Sequence, residues 1–229
     1  MALYAIGDLH LGFQADKPMD IFGGPWTNHV EKLKQGFSQV TPEDTTVLLG
    51  DLSWALDLKG AEEDFAWISQ IPGRKIILKG NHDYWWSTAS KFYRFCQDNG
   101  FSDLNILNNN CYTYEGWAIC GTRGWFYEEE RDGAHDEKVM KREILRLEAS
   151  LKAAGDLPKL VFLHYPPVYK GYCCEEELEL LHRYDVRYCY YGHLHGASQG
   201  LAIEGLYDGI TYKLVAADKL DFCPLRINL

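Results

Sequence analysis

The sequence lacks the features of membrane-spanning, disordered and disulfide-stabilised proteins. It has no apolar run long enough to cross a bilayer, no low-complexity tract and no internal repeat. Its 7 cysteines are an odd number without framework spacing, which is typical of reduced thiols in a cytoplasmic protein. The apolar run that leads into the first motif begins at Ala2, so we also expect no signal peptide.

Positive charge is scarce as well. The chain has 23 Lys and Arg against 33 Asp and Glu, for a formal net charge of −10. An acidic surface attracts polyanions poorly, so we expect neither nucleic acid nor a membrane as a partner. With 229 residues, 46% of them hydrophobic, the chain suits one compact domain, predicted over residues 1–229.

Apolar runs alternate with segments of helical spacing along most of the chain. The pattern predicts strands at 3–6, 46–49, 75–78, 160–163 and 186–191, and helices at 29–37, 61–69, 87–98, 136–154 and 175–184. This alternation favours an α/β fold with mostly parallel pairing. Residues 111–121 and 206–229 instead predict a second, more antiparallel sheet. We therefore expect two facing sheets with helices outside.

Five short motifs carry residues that divalent transition metals accept as ligands. In chain order they are Asp8-Leu-His10, Gly50-Asp51, Gly80-Asn81-His82-Asp83, His164 and Gly192-His193-Leu194-His195. Four of them directly follow an apolar run, and side chains at strand ends can converge on one crevice. A lone Asp-x-His is a frequent chance match, whereas the whole ordered set indicates a two-metal hydrolase.

This motif set resembles the calcineurin-like metallophosphoesterase superfamily over the stretch from Asp8 to His195. The resemblance implies a four-layer αββα sandwich of two mixed sheets flanked by helices. It also implies two ligand sets that share Asp51. One ion would be held by Asp8, His10, Asp51 and His195, and the other by Asp51, Asn81, His164 and His193.

The ligand types narrow the choice of metal and suggest the chemistry. Imidazole favours Mn, Fe, Co, Ni or Zn over Ca, and we expect Mn or Fe first. Two such ions can hold a bridging hydroxide as nucleophile and clamp the phosphoryl oxygens during in-line displacement. By resemblance His82 contacts the phosphoryl group and protonates the leaving group, as an imidazole can near neutral pH. We group Asp83 with His82 as a catalytic residue, and its simplest role is to orient the turn that carries the motif.

Two departures from better-known branches narrow the substrate. After Gly50-Asp51 the chain continues Leu52-Ser53-Trp54 and lacks the Arg and Asp that continue this motif in Ser/Thr protein phosphatases. Purple acid phosphatases have an iron-binding Tyr at the place of Trp54 and no His at position 10. A phosphoprotein substrate and a purple charge-transfer band are therefore not expected.

The predicted substrate-binding residues are Arg123, Trp54 and Trp85. Arg123 lies between small residues that would let it approach an anion, although a core-bracing arginine is the alternative. Trp85 could stack on a nucleobase, or simply fill the core. Residues 13–26, Tyr84 and His135 are further candidates, whereas the run Glu128–Glu130 predicts a solvated face.

These observations predict a binuclear metal-dependent phosphoesterase that hydrolyses a small phosphomonoester or phosphodiester. Two alternatives remain at this point. One is a non-catalytic interaction module on the same scaffold, and the complete ligand set argues against it. The other is a nuclease subunit, which needs a nucleic-acid-binding surface that a short acidic chain does not offer.

Overall fold

The computed structural model describes the backbone of residues 1–126 and 133–229. It describes the side chains of residues 1–126 and 136–229. The run Glu128–Glu130 therefore lies outside the described residues, as does the side chain of His135. The chain divides into two compact units. The first comprises Met1–Ile106 and Val215–Leu229, and the second comprises Leu107–Leu214. The single domain over residues 1–229 stays a prediction.

The predicted helices are all present, with ends that differ from prediction by a few residues. They are α1 (His29–Phe37), α2 (Glu62–Gln70), α3 (Ala89–Asn99), α4 (Gly133–Ala153) and α5 (Glu175–Arg183). The strands are β1 (Leu3–Ile6), β2 (Thr45–Leu48), β3 (Arg74–Ile77), β4 (Leu104–Ile106), β5 (Tyr112–Tyr114), β6 (Trp117–Thr122), β7 (Lys159–Leu163), β8 (Val168–Tyr169), β9 (Tyr172–Cys173), β10 (Tyr188–Tyr191), β11 (Gly205–Tyr207), β12 (Ile210–Leu214) and β13 (Leu225–Ile227). Short 3₁₀ helices cover Met19–Phe22, Gly24–Trp26 and Gly196–Leu201.

The first unit contains a five-stranded sheet with the order β13-β1-β2-β3-β4. Strands β1 to β4 are parallel, and β13 joins the edge antiparallel to β1. Ile6 is level with Leu48, and Leu48 is level with Ile77. Because the three strands end in register, the motifs that follow them start at the same edge of the sheet.

Helices α1, α2 and α3 pack on this sheet through one apolar face each. Leu33, Phe65 and Phe92 from the helices share a buried cluster with Ile6 and Leu48 from the strands. Burying each such side chain contributes about 1.5–3 kcal/mol relative to leaving it in water. This packing fixes the strand ends on which the first three motifs are carried.

The second unit contains a six-stranded sheet with the order β11-β12-β10-β7-β6-β5. Its four central strands are parallel, and only β11 and β5 pair antiparallel, at the two edges. The antiparallel pairing expected for residues 111–121 and 206–229 is found in the β5–β6 and β11–β12 pairs, but the centre of the sheet is parallel and β13 joins the first sheet instead. Helix α4 connects β6 to β7 and α5 connects β7 to β10, and helical crossovers of this kind produce parallel pairs.

Helix α4 packs against the second sheet through polar as well as apolar contacts. The Ser150 hydroxyl accepts a hydrogen bond from the Gly121 amide at 2.9 Å and donates one to the Asn110 carbonyl at 2.6 Å. The predicted fold class, α/β with two mixed sheets flanked by helices, is thus confirmed. Among the described residues, no helix combines the length and the apolar character needed to cross a membrane.

Candidate metal and active site

The first three motifs lie side by side at one edge of the first sheet. The Asp8 amide donates to the Gly50 carbonyl at 2.8 Å, and the His10 amide donates to the Asp51 carbonyl at 2.9 Å. The His82 amide donates to Asp51 Oδ1 at 2.8 Å, which ties the third motif to the second. The sequence predicted this convergence from the apolar runs, and the structure confirms it within this unit.

Glycine is required where the second and third motifs cross. A Cβ at Gly50 would come within 2.6 Å of the Gly80 Cα, and a Cβ at Gly80 would overlap the Asp51 carboxylate and amide. Gly50 also has φ = 84°, in the region that favours glycine. The two backbones can therefore approach closely enough to bring Asp51 and Asn81 to the same edge.

Asp8, His10 and Asp51 form a compact group of metal-ligating side chains. They are 0%, 4% and 2% exposed. One ligand atom of Asp8 lies within 4.8 Å of a ligand atom of His10 and likewise of one of Asp51. His10 Nε2 is 3.9 Å from Asp51 Oδ2. Two buried carboxylates and an imidazole at this spacing fit a divalent transition metal by donor chemistry and by charge.

Several of the candidate ligand residues have a left-handed backbone. Asp8, His10 and Asp51 have φ of 61°, 47° and 50°, and His193 in the second unit has φ = 70°. This conformation costs residues other than glycine on the order of 1 kcal/mol or more each, and it collects at functional sites. The surrounding structure therefore keeps these candidate ligands in a backbone conformation that they would not adopt on their own.

Asp83 is the hydrogen-bonding hub of the motif turns. Its Oδ2 accepts from the amides of Asp51 at 2.8 Å and Gly80 at 2.7 Å. Its Oδ1 accepts from the Leu52 amide at 2.9 Å and from the Trp85 indole at 2.8 Å. Burial raises the pKa of Asp83, and these N–H donors oppose the change by favouring the carboxylate. Asp83 thus orients the second and third motifs, the simpler of the roles expected for it.

His82 lies in an aromatic surround. Its ring is 4.6 Å from Trp54 and 6.1 Å from Tyr84, measured between centroids. Trp54 also stacks on His10 at 4.8 Å with an angle of 18° between the planes. The Trp54 ring therefore contacts both a candidate metal ligand, His10, and the residue expected to protonate the leaving group. This position is consistent with the predicted role of Trp54 in substrate binding. That role stays a prediction.

The fourth and fifth motifs lie together at one edge of the second sheet. Leu163 and Tyr191 are level in the β7–β10 pair, so His164 and Gly192 follow them side by side. The Gly192 amide donates to the His164 carbonyl at 3.1 Å, and the rings of His164 and His193 are 5.1 Å apart. His195 begins the 3₁₀ helix Gly196–Leu201 from an extended backbone. The unit thus groups its predicted histidine ligands.

The side chain of Arg123 is fixed by contacts with other residues of the second unit. Its guanidinium pairs with the buried Glu143 carboxylate of α4 at 3.5 Å and lies 4.6 Å from the Trp125 ring centroid. Its carbonyl accepts hydrogen bonds from the amides of His164 and Tyr165 at 3.1 Å and 2.8 Å. This placement favours the core-bracing alternative, with Arg123 supporting the loop that carries His164.

Trp85 is likewise placed for packing. It is 2% exposed, and its ring centroid is 4.8 Å from that of Phe65 and 5.6 Å from that of Phe92. Its polar side-chain group, the indole N–H, donates to Asp83. The structure therefore favours the core-filling alternative that the sequence left open.

Three residues beside the motifs were missed at the sequence level. Tyr165 packs on His193 with 4.3 Å between ring centroids. Glu143 accepts from Thr122 at 2.6 Å and from Arg146 at 2.7 Å as well as pairing with Arg123. Glu177 of α5 is fully buried, and burial raises its pKa to about 8. Both glutamates could have been identified from the sequence, because each is an acidic residue within the apolar stripe of its helix.

Comparison with known proteins gives a family and a fold. The family model described as calcineurin-like phosphoesterase matches residues 1–197. A gene 66 protein of Mycobacterium phage L5 is 35% identical over 77 residues, which are 33% of this chain and 37% of that protein's length. The chain therefore matches only about a third of that curated relative.

Solved structures with the same fold are distant in sequence. Phosphopantetheinyl hydrolase (PptH) from Mycobacterium tuberculosis is 15% identical with a TM-score of 0.58, covering 99% of this chain and 95% of that one. TT1561 from Thermus thermophilus is 16% identical with a TM-score of 0.52, covering 84% and 81%. At these identities the likeness establishes the fold alone.

Proposed function

Since the chain belongs to the calcineurin-like phosphoesterase family, we propose that it is a metal-dependent hydrolase of a small phosphomonoester or phosphodiester. The observation that carries the proposal is the buried group of Asp8, His10 and Asp51, whose ligand atoms approach within 4.8 Å. Three buried metal-type donors on one edge are costly to bring together without a cation to bind.

The proposed centre is binuclear, with the ligand sets that the family resemblance implies. The first set is Asp8, His10, Asp51 and His195, and the second is Asp51, Asn81, His164 and His193. When bound, two divalent ions, Mn or Fe in the first instance and Zn, Co or Ni otherwise, would activate water and offset the charge of the phosphoryl oxygens.

The protein's own residues supply positioning and a proton. We assign His82 to the leaving-group oxygen, because an imidazole can donate a proton near neutral pH. The bond from its amide to Asp51 fixes its backbone beside that ligand at 2.8 Å. Asp83 accepts hydrogen bonds from the backbone of both motif turns. We therefore assign it the role of positioning Asp51 and His82, without a contact with the ester.

The proposed cellular environment and the proposed partner are based on the cysteine content and the net charge. We propose a reduced, cytoplasmic environment, supported by seven cysteines that are all free. With a net charge of −10, the protein would repel polyanions except where bound metal reverses the local sign. The proposed partner is therefore a small phosphate ester and not nucleic acid or a membrane.

The test is an assay with Mn²⁺ on a panel of generic monoesters and diesters, run on the wild type and on Asn81→Ala. A phosphopantetheinyl substrate joins the panel, because the name of the M. tuberculosis neighbour states that chemistry. We expect wild-type turnover and a loss of at least about tenfold in Asn81→Ala, since a lost metal ligand weakens the centre.

Asn99→Ala is the matched control. Asn99 lies at the end of α3 and its side chain bonds the Phe95 carbonyl of its own helix, so its variant should keep wild-type turnover. If the wild type cleaves no ester faster than Asn81→Ala does, the catalytic proposal is wrong. Absence of metal binding in the purified wild type would instead favour the non-catalytic module.

A further inference from the structure

A lysine of the loop after the first motif reaches the aromatic surround of His82. Lys17 Nζ lies 4.8 Å from the centroid of the Trp54 ring, within cation–π range. The same ring is 4.6 Å from His82. The ammonium group is thus one ring away from the residue assigned to the leaving group.

The loop that carries Lys17 is anchored on both sides. The Phe13 amide donates to Asp64 Oδ1 at 2.9 Å, and Met19 Sδ accepts from the Trp54 indole at 3.3 Å. Asp64 itself accepts a hydrogen bond from the Ser53 hydroxyl, next to Trp54. These contacts fix the loop on either side of Lys17, whose exposed side chain extends over the Trp54 ring.

The charge of Lys17 is available to a ligand. Within residues 1–126 and 133–229, no carboxylate forms an ion pair with it, although Asp16 precedes it in the sequence. Asp20, the other acid of this loop, accepts from the Asn28 amide at 2.9 Å. A cation without a carboxylate partner, in a chain of net charge −10, marks a place where an anion is favoured.

Tyr84 borders His82 as well. It is 55% exposed, and its ring meets His82 edge-on at 6.1 Å. Trp54 and Tyr84 therefore give the leaving-group side aromatic walls, while Lys17 gives it a positive charge. The transferred phosphoryl group would lie with the candidate metal ligands, and Lys17 shares the Trp54 ring with His82, the residue assigned to the leaving group.

We propose that Lys17 and Trp54 form an anion subsite for the leaving group, so that the substrate is a phosphoester whose leaving group carries a second phosphoryl group. This inference rests on the proposed function, because it takes His82 as the marker of the leaving-group side. Lys17 would act as a specificity-determining residue, recognising charge and not the scissile bond.

The test compares two non-hydrolysable probes by calorimetric titration into the Mn²⁺-loaded protein. Methylphosphonate offers one phosphoryl group and methylenediphosphonate offers two. In Lys17→Met we expect the affinity for methylenediphosphonate to fall about fivefold, the upper range for an exposed charge pair. The ratio of the two affinities should fall with it, and Lys17→Arg should restore the ratio.

Lys34→Met is the matched control, since Lys34 is an exposed lysine of α1. It should leave both affinities at the wild-type values. Raising the salt concentration should shrink the Lys17 effect through screening. An equal fall for both probes in Lys17→Met, or an unchanged affinity for methylenediphosphonate, overturns the subsite.

Failure of the subsite and failure of the proposed function give different results. A protein that hydrolyses esters but shows no Lys17-dependent ratio keeps the function and loses the subsite. A protein that hydrolyses none of the panel but binds methylenediphosphonate in a Lys17-dependent way keeps the anion subsite and loses the catalytic role.

Discussion

Replacing Glu177 with glutamine should make the protein more stable at alkaline pH. Glu177 is fully buried in α5, and its carboxylate oxygens have no well-formed hydrogen bond among the described residues. Burial raises the pKa of its carboxyl group from 4.5 to about 8; the Trp125 backbone opposes the increase and nearby Glu143 adds to it. Glutamine has the shape of the protonated acid but cannot ionise.

The sign and size of the effect follow from proton linkage. Between pH 4.5 and about 8 the folded protein keeps a proton on Glu177 that the unfolded chain releases. The free energy of unfolding of the wild type therefore falls as pH rises through this window. At about 1.4 kcal/mol for each pH unit, the loss approaches an upper bound of about 5 kcal/mol above pH 8. The variant avoids this loss.

Urea unfolding followed by circular dichroism, at pH values from about 5 to 9, measures the difference. Glu177→Gln should match the wild type within about 1 kcal/mol near pH 5 and exceed it by several kcal/mol near pH 9. Glu175→Gln is the matched control, because Glu175 is exposed on the same helix. Its difference from the wild type should stay within about 0.5 kcal/mol throughout.

Parallel stability profiles for the wild type and Glu177→Gln would refute the reasoning. They would mean that Glu177 ionises in the folded protein as readily as in the unfolded chain. A solvent path or a cation beside the carboxylate would then have to exist. A variant less stable than the wild type at every pH would show that the carboxyl group makes a specific favourable contact.

Further predictions concern the motif turns and Arg123. Gly80→Ala should weaken Mn²⁺ binding and lower stability by about 1–3 kcal/mol, because its methyl group would overlap the Asp51 carboxylate; calorimetry that shows wild-type metal affinity would contradict this. Asp83→Asn should cost about 2–3 kcal/mol in urea unfolding and lower kcat, since an amide NH₂ would face N–H donors; unchanged values would show the hub to be dispensable. Arg123→Gln should cost about 1–3 kcal/mol by loss of the Glu143 pair, with KM within about twofold of wild type; a raised KM at unchanged stability would instead make Arg123 a substrate contact.

The arrangement of the motifs could be predicted because it depends on local pattern. An apolar run that ends in glycine and a polar ligand specifies a buried strand and the place of the side chain after it. Ile6, Leu48 and Ile77 then align by the ordinary register of a parallel sheet. No longer-range information was needed to bring Asp8 and Asp51 to one edge.

The roles of Arg123 and Trp85 could not be predicted, because they depend on distant partners. Arg123 meets Glu143 of α4, and small neighbours in the sequence say nothing of that helix. Trp85 is turned inward by contacts with Phe65 and Phe92, 20 and 7 positions away. The parallel pairing of β6 with β7 and of β12 with β10 was not predicted for the same reason, since short strands look alike whichever way they pair.

Buried acids offered a signal that the sequence reading did not use. Glu143 lies four residues from Val139 and four from Leu147, on the stripe of α4 that faces the sheet. Glu177 lies four residues before Leu181 on the buried side of α5. An acidic residue inside an apolar stripe predicts a bracing contact or a raised pKa, and both occur here.

The left-handed backbone at Asp8, His10, Asp51 and His193 sets folding and chemistry against each other. Glycine at any of these positions would relieve conformational strain while deleting a candidate metal ligand. A descendant under selection for folding alone could therefore gain stability by the same substitution that would end the proposed metal binding. The chain nevertheless keeps Asp or His at all four positions, as expected if the proposed metal binding, and not the stability of the scaffold, determines the residue there.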